Sequence, residues 1–279
     1  MVRIHPGLPN KKTASQSPKT RLARVFAYPG SGVAMVARFP PPIVPPDAAI
    51  ERMRAQGYAV VSAEGLATLA GVASSELVAL ALSWDDLAPD TYLRDGGRYR
   101  RRRHACFVVD GVDVAPAPHR AHWQPVEYNA LHGGMHRWFE PIRHDVATAP
   151  AFLQVLRGLG ALFDELRPQP RWYVEAHQFR IDTAGGLGRP TPEGAHRDGV
   201  DFVAVLLVGR HGIKGGETRV FQADGPAGER FTLEEPWSAL LLDDSRVIHE
   251  STPIQPVDGD GHRDTLVVTY RAGAFLGDD

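Results

Sequence analysis

From residue 171 onward the chain is a series of short apolar runs cut by turn residues, and this pattern most restricts what it can fold into. Runs at 171–182, 201–208, 218–222, 230–233, 238–242, 246–249 and 265–271 are strand candidates. The run at 201–208 is strongly apolar, with Phe202, Val203, Val205, Leu206 and Leu207. The breaks between runs carry turn chemistry: His211-Gly212, Gly215-Gly216, Asp224-Gly225-Pro226 and Asp258-Gly259-Asp260-Gly261. Many short strands at close spacing point to an all-β sandwich or barrel.

The front half reads differently. Pro40-Pro41-Pro42 and Pro45-Pro46 mark a stiff, extended connection. Asp47 is placed to cap a helix over 48–56 that Gly57 closes, and 58–61 reads as a short strand. Ser62 with Gly65-Leu66 opens a second helical stretch, 74–84 continues it, and 150–166 repeats apolar residues at helical spacing. The expectation is a mainly β protein with flanking helices (α+β). A helical front half, about 47–167, packs on a β core, about 170–275, within one domain over 21–279. Residues 1–20 are polar, without periodicity, and read as a disordered tail or leader.

Composition removes several classes of function. The 43% hydrophobic content can bury a sizeable core, and the formal net charge of −2 argues against a protein held to nucleic acid by bulk charge. No apolar run approaches the roughly 20 residues that cross a bilayer. The single cysteine, Cys106, excludes an intramolecular disulfide framework and a Cys-rich metal site, which favours the cytoplasm. Oligomeric state is not legible.

Against that background one pattern carries chemistry. His196 and Asp198 are separated by one residue, so in extended chain both side chains point the same way and Arg197 points the other. His249 ends a later strand, which is how a barrel brings a third ligand from another edge. With 12 histidines in the chain a lone His-x-Asp arises by chance. Here Gly199 frees the backbone just after the pair, and a buried strand follows. Two imidazoles and one carboxylate leave open positions on a metal, the pattern of non-heme Fe(II) oxygenases. Zinc hydrolases share such ligands, but no His-Glu-x-x-His or comparable helix motif supplies their base. An iron site of this kind commonly takes 2-oxoglutarate with O2, and the distal carboxylate then needs a buried cation. Arg263 suits that role by its planar guanidinium. The alternative is a surface arginine paired to Asp264 or Asp260, with Arg271 as the second candidate anchor.

These residues resemble the 2-oxoglutarate/Fe(II)-dependent dioxygenase family that includes bacterial L-isoleucine dioxygenase. The matching pieces are His196-Arg197-Asp198-Gly199, Gly215-Gly216-Glu217-Thr218, Leu242-Asp243-Asp244 leading to His249, and Arg263-Asp264-Thr265-Leu266. Upstream, Tyr99-Arg100-Arg101 and the stretch from Gln124 to Asn129 are also similar. The resemblance implies a double-stranded β-helix (jelly-roll, cupin-like) core. It implies His196, Asp198 and His249 as iron ligands, Arg263 as the 2-oxoglutarate anchor, and hydroxylation of an amino acid.

Other polar groups keep two readings each. The run Arg98, Arg100, Arg101, Arg102, Arg103, His104 is a solvated strand face, a nucleic-acid patch, or a strand with one arginine in the substrate site, for which Arg101 is the choice. Gln178 and Arg180 share one strand face, Glu175 and His177 the other; Gln178 and Arg180 are taken as substrate-binding candidates. Glu217 is a site residue or a charge flanking the glycine turn. His122, Trp123, Gln124, Tyr128, Asn129, His132, His136 and Arg137 crowd a loop that could shape the pocket mouth. The expected function is hydroxylation of an aliphatic C–H in a free or N-substituted amino acid, with Fe(II), 2-oxoglutarate and O2 and no nucleic-acid or membrane partner. The alternatives are a non-oxygenase cupin-like binding barrel and a nucleic-acid-modifying oxygenase.

Overall fold

A computed structural model describes residues 34–37 and 40–278; the expected tail at 1–20 lies outside them. Thirteen strands are described. They are β1 Ala34–Ala37, β2 Tyr58–Val61, β3 Arg100–Asp110, β4 Asp113–Pro116, β5 Trp172–Asp182, β6 Phe202–His211, β7 Ile213–Gly215, β8 Thr218–Gln222, β9 Ala227–Phe231, β10 Ala239–Asp243, β11 Val247–Ser251, β12 Ile254–Pro256 and β13 His262–Arg271. Seven form one sheet in the order β2-β10-β6-β13-β5-β3-β4, four form a second in the order β1-β9-β8-β11, and β7 pairs with β12. This arrangement is the expected double-stranded β-helix.

The helices are α1 Ala49–Gln56, α2 Ala63–Ala70, α3 Ser74–Ala81, the single turn α4 His144–Ala147, and α5 Pro150–Leu166. Ser62 caps α2 by accepting the Gly65 N–H at 3.1 Å. Asp47 does not cap α1: it sits inside a 3-10 turn, Pro46–Ala48, that leads into the helix. Pro150 starts α5, where its missing N–H costs nothing. Phe152, Leu156, Leu159 and Phe163 then fall on one buried stripe. Phe163 stacks on Phe202 of the large sheet with ring centroids 4.5 Å apart, and its burial is worth about 2–3 kcal/mol. Tyr270 ties β13 to the same helix by donating to the Leu156 carbonyl at 2.8 Å.

The large sheet has two unlike faces. Its outer face sends Val174, Ala176, Phe202, Ala204, Leu206, Leu266, Val268 and Tyr270 into one core with the helices. The alternate residues, among them Val60, Val203, Leu207, Leu240 and Leu242, meet Val220 and Phe231 of the small sheet in a second, smaller core. Along β3, β5 and β13 that inner face turns polar. Within the front half, the arginine run lies on a strand: β3 is eleven residues long and pairs Arg100–Val109 with Trp172–Ile181 of β5. Beyond this, the register row Arg100, Ile181, Arg263 runs across three neighbouring strands.

Candidate metal and cosubstrate site

His196 lies in the segment between β5 and β6 and faces His249 of β11 across a two-way backbone bridge. Each N–H donates to the other's carbonyl at 3.0 Å. The imidazoles therefore stand side by side, ring centroids 4.7 Å apart. Asp198, two residues on, turns its carboxylate to both: Oδ1 is 4.0 Å from His196 Nε2 and Oδ2 is 3.8 Å from His249 Nε2. One donor atom from each residue lies within 4.8 Å of the others. The Nδ1 of His196 is 2.9 Å from the Gly194 carbonyl, which fixes the proton on Nδ1 and leaves the Nε2 lone pair for the cluster. Burial pushes the Asp198 carboxyl up, against the pull of His196. Burial, then the charge of His196, pushes His249 well down. A divalent cation at these three atoms would reverse the first effect and reinforce the second, keeping Asp198 ionised and His249 neutral, and the donor set fits Fe(II).

The loop carrying Asp198 is held from behind by Asp244. Its buried carboxylate accepts the N–H groups of Asp198 at 2.9 Å, Gly199 at 2.8 Å and Val200 at 3.1 Å. Gly199 has φ +82°, and a Cβ there would lie 2.5 Å from Tyr128 Cδ2, so both backbone and space demand glycine. Arg197 reaches back to the Asp244 carbonyl, away from the cluster. Gln124 Nε2 donates to Asp198 Oδ1 at 3.3 Å, and Glu193 Oε1 lies 3.6 Å from His196 Nε2.

The three residues line a cavity of about 110 Å3 between the sheets, and Arg263 stands in its wall. Arg263 is 3% exposed, yet its Nε and Nη2 have no hydrogen-bond partner. Burial, then the nearby charge of Arg210, lowers its pKa to about 10. A buried guanidinium left without an anion is costly, so this site fits the distal carboxylate of 2-oxoglutarate. Gly216 packs beside Arg263 with φ +70°, and a Cβ there would press on Ile254 Cγ2 at 3.1 Å. Arg271 is elsewhere, donating to the carbonyls of Ala274 and Phe275. Glu217 pairs with Arg219 at 2.9 Å, as a turn-flanking charge does.

Of the expected substrate residues Arg101, Gln178 and Arg180, none lines this cavity. Arg101 is half exposed and 3.9 Å from Asp182. Gln178 donates to Ser83 at 2.7 Å, and Arg180 is paired with Asp264 at 2.7 Å and Asp85 at 3.0 Å. They share the parity of the helix-covered face. The opposite parity, Arg100 and Arg102 of β3 with His177 and Phe179 of β5, points inward. Of the loop residues, His122, Gln124, Asn129, His132 and Arg137 reach the cavity; Trp123, Tyr128 and His136 are not in its wall. Asp90, which pairs with Arg100 at 2.7 Å, and Glu193 carry no sequence signal of their own. Asp244 had one, its place just before the strand that carries His249.

Residues 81–269 match the model of a family described as 2OG-Fe dioxygenase. A crystal structure of a bsmA homologue from Methylobium petroleophilum PM1 is 52% identical, with a TM-score of 0.81 over 89% of this chain and 100% of that one. IDO from Bacillus thuringiensis shares the fold at 19% identity, with a TM-score of 0.67 over 82% of this chain and 100% of that one. So does the Fe(II)/(alpha)ketoglutarate-dependent dioxygenase TqaL, at 20% identity and a TM-score of 0.62 over 84% and 88%. No protein of curated function matches the chain. Among the described residues no single helix is long and apolar enough to cross a membrane.

Proposed function

The chain belongs to the 2OG-Fe dioxygenase family, and from that premise we propose that it hydroxylates an aliphatic C–H of a free or N-substituted amino acid. Its cofactors are those of the family: Fe(II), 2-oxoglutarate and O2. In balance, substrate, 2-oxoglutarate and O2 give the alcohol, succinate and CO2. The observation that carries the reading is the pairing, in one cavity, of the His196–Asp198–His249 cluster with a buried guanidinium that lacks an anion.

In this reading His196, Asp198 and His249 hold the iron, which when bound supplies the activation of dioxygen by electrons from 2-oxoglutarate. Arg263 fixes the distal carboxylate and so the orientation of the cosubstrate. Asp244 holds the Asp198 backbone and Gln124 its carboxylate. Val205 and Val267 present apolar surface to the cavity and keep water from the reacting carbon. A small-molecule substrate is supported by the recessed site, walled by buried side chains. Burial of Arg100 and Arg102 supports it too, since it removes two of the five arginines of the run from any nucleic-acid surface. The lone, buried Cys106 fits a cytoplasmic setting.

The test is a panel of amino acids and N-substituted derivatives incubated with Fe(II), ascorbate and 2-oxoglutarate, read by mass for a gain of one oxygen. His196→Ala and Asp198→Ala are expected to abolish substrate-dependent succinate formation. Full activity in either variant would sink the assignment.

A further inference from the structure

Four groups outside this scheme meet on the inner face of β3 and β5: His104, His122, Glu175 and His177, all buried, with donor atoms within 4.8 Å of one another. Glu175 Oε2 lies 2.9 Å from His104 Nε2, 2.7 Å from His122 Nδ1 and 3.8 Å from His177 Nε2. The rings of His104 and His177 stack at 4.6 Å. By composition this is a metal donor set. Arg102 takes His177 out of that set. Its Nη2 lies 2.7 Å from His177 Nδ1, and a guanidinium can only donate. His177 Nδ1 is therefore the bare nitrogen, Nε2 carries the ring proton, and no lone pair remains there for a metal.

The other tautomers follow. His104 donates to Glu175 through Nε2, and His122 through Nδ1. Burial works against the Glu175 charge, but His122 and His104 outweigh it and hold the carboxyl below its usual range. His122 is left with one free atom, Nε2, as an acceptor, and His122 lines the cavity. Burial keeps this ring neutral, with a pKa of about 4.

Beside His122 the same wall offers donors. Arg100, Arg102 and Arg137 line it and are 5%, 3% and 2% exposed. Asp90 takes Arg100 Nε at 2.7 Å and lies 3.8 Å from Arg102 Nη1, while Arg137 Nη2 donates to Gln124 Oε1 at 2.9 Å. Arg100 Nη2, Arg102 Nε and Arg137 Nε have no partner. Three guanidinium groups share this wall with the carboxylates of Asp90, Glu175 and Glu193, and each still keeps an N–H without a hydrogen-bond partner.

We propose that this wall is the polar seat of the substrate: Arg137, backed by Arg100 and Arg102, binds a carboxylate, and His122 Nε2 accepts a hydrogen bond from an adjacent N–H. The ligand class is an acid with an amine or amide nitrogen beside its carboxylate, held apart from the cosubstrate at Arg263. Glu175 is a positioning residue that sets the His122 tautomer. The inference rests on the function proposed above for the substrate it serves.

The experiment uses the protein loaded with Fe(II) and 2-oxoglutarate without oxygen. The probes are the twenty L-amino acids, the carboxamide of each one that binds, and its deaminated acid, followed by calorimetry. At least one amino acid is expected to bind, its carboxamide and its deaminated analogue each roughly ten- to a hundredfold more weakly, the loss of one charge-assisted contact. Arg137→Gln should erase the preference for acid over carboxamide, and His122→Phe the preference for the amine. The seat is overturned if no amino acid binds, if acid and carboxamide bind alike, or if Arg137→Gln keeps the full preference. A second metal ion per chain, lost in Glu175→Gln, would overturn the tautomer assignment. The comparison of acid with carboxamide needs no variant, so misfolding of a variant does not spare the proposal. Oxygen uptake that requires iron and 2-oxoglutarate tests the oxygenase reading separately, so failure of the seat and failure of that reading are told apart.

Discussion

Replacing Asp244 by asparagine probes how the metal cluster is held without touching a ligand. The carboxylate takes the Asp198 N–H on Oδ1 and the Gly199 and Val200 N–H groups on Oδ2. Asparagine has one oxygen. Turned toward Gly199 and Val200, it leaves its own NH2 facing the Asp198 N–H, a donor against a donor. One charge-assisted bond is lost, about 1.5–3 kcal/mol, and the two that remain become neutral and weaker. A gain opposes this: burial, then the charge of Asp198, pushes the Asp244 carboxyl up to about 7, so its charge is itself costly. The geometry of three short bonds outweighs that cost, and a net loss of about 2 kcal/mol is expected. For a chain of this size that lowers the melting temperature by roughly 4–8 °C. Displacement of Asp198 should weaken iron binding by about ten- to a hundredfold. Thermal melting of the metal-free protein and calorimetric titration with Fe(II) measure the two effects. A variant that melts within 1 °C of the parent and binds iron as tightly would refute the reasoning.

Two further outcomes follow from buried charge. Arg263→Met is expected to raise the 2-oxoglutarate requirement by roughly a hundredfold; because Nε and Nη2 are unpartnered, it should also stabilise the ligand-free protein, and a fall in melting temperature would contradict this. Burial lowers His122 and His132 from 6.5 to about 4, so between those values the unfolded chain holds more protons than the folded one. Stability must then fall on acidification, by up to about 1.4 kcal/mol per pH unit for each ring. Urea midpoints at pH 6.5 and 5 that do not differ would count against it.

The sequence made the metal cluster and the long helix legible because both are local signals. His-x-Asp with a following glycine is read within four residues, and the stripe of α5 is set by its own periodicity. What the sequence hid was which side of a strand faces the site. Phe107 and Val109 of β3 share parity with Arg101 and Arg103, and they do reach a core, but it is the core under the helices. The barrel interior receives the other set, Arg100, Arg102 and His104, which look like a solvated face until Asp90 and Glu175 are brought opposite them. Asp90 comes from outside the strands altogether, and its pairing is a product of tertiary closure. The same rule misplaced Gln178 and Arg180, whose neighbours Val174 and Ala176 mark the outer face.

That division of labour has an evolutionary corollary. Along β5 and β13 one set of alternating residues anchors the helical layer, while the interleaved set, including Phe179, Val267 and Thr269, lines the cavity. Selection for a different ligand can act on the second set while the first goes on supplying the folding free energy. Abundance and substrate preference are thus written on separate, interleaved positions of the same strands, and a lineage can drift to new chemistry along one without exhausting the other.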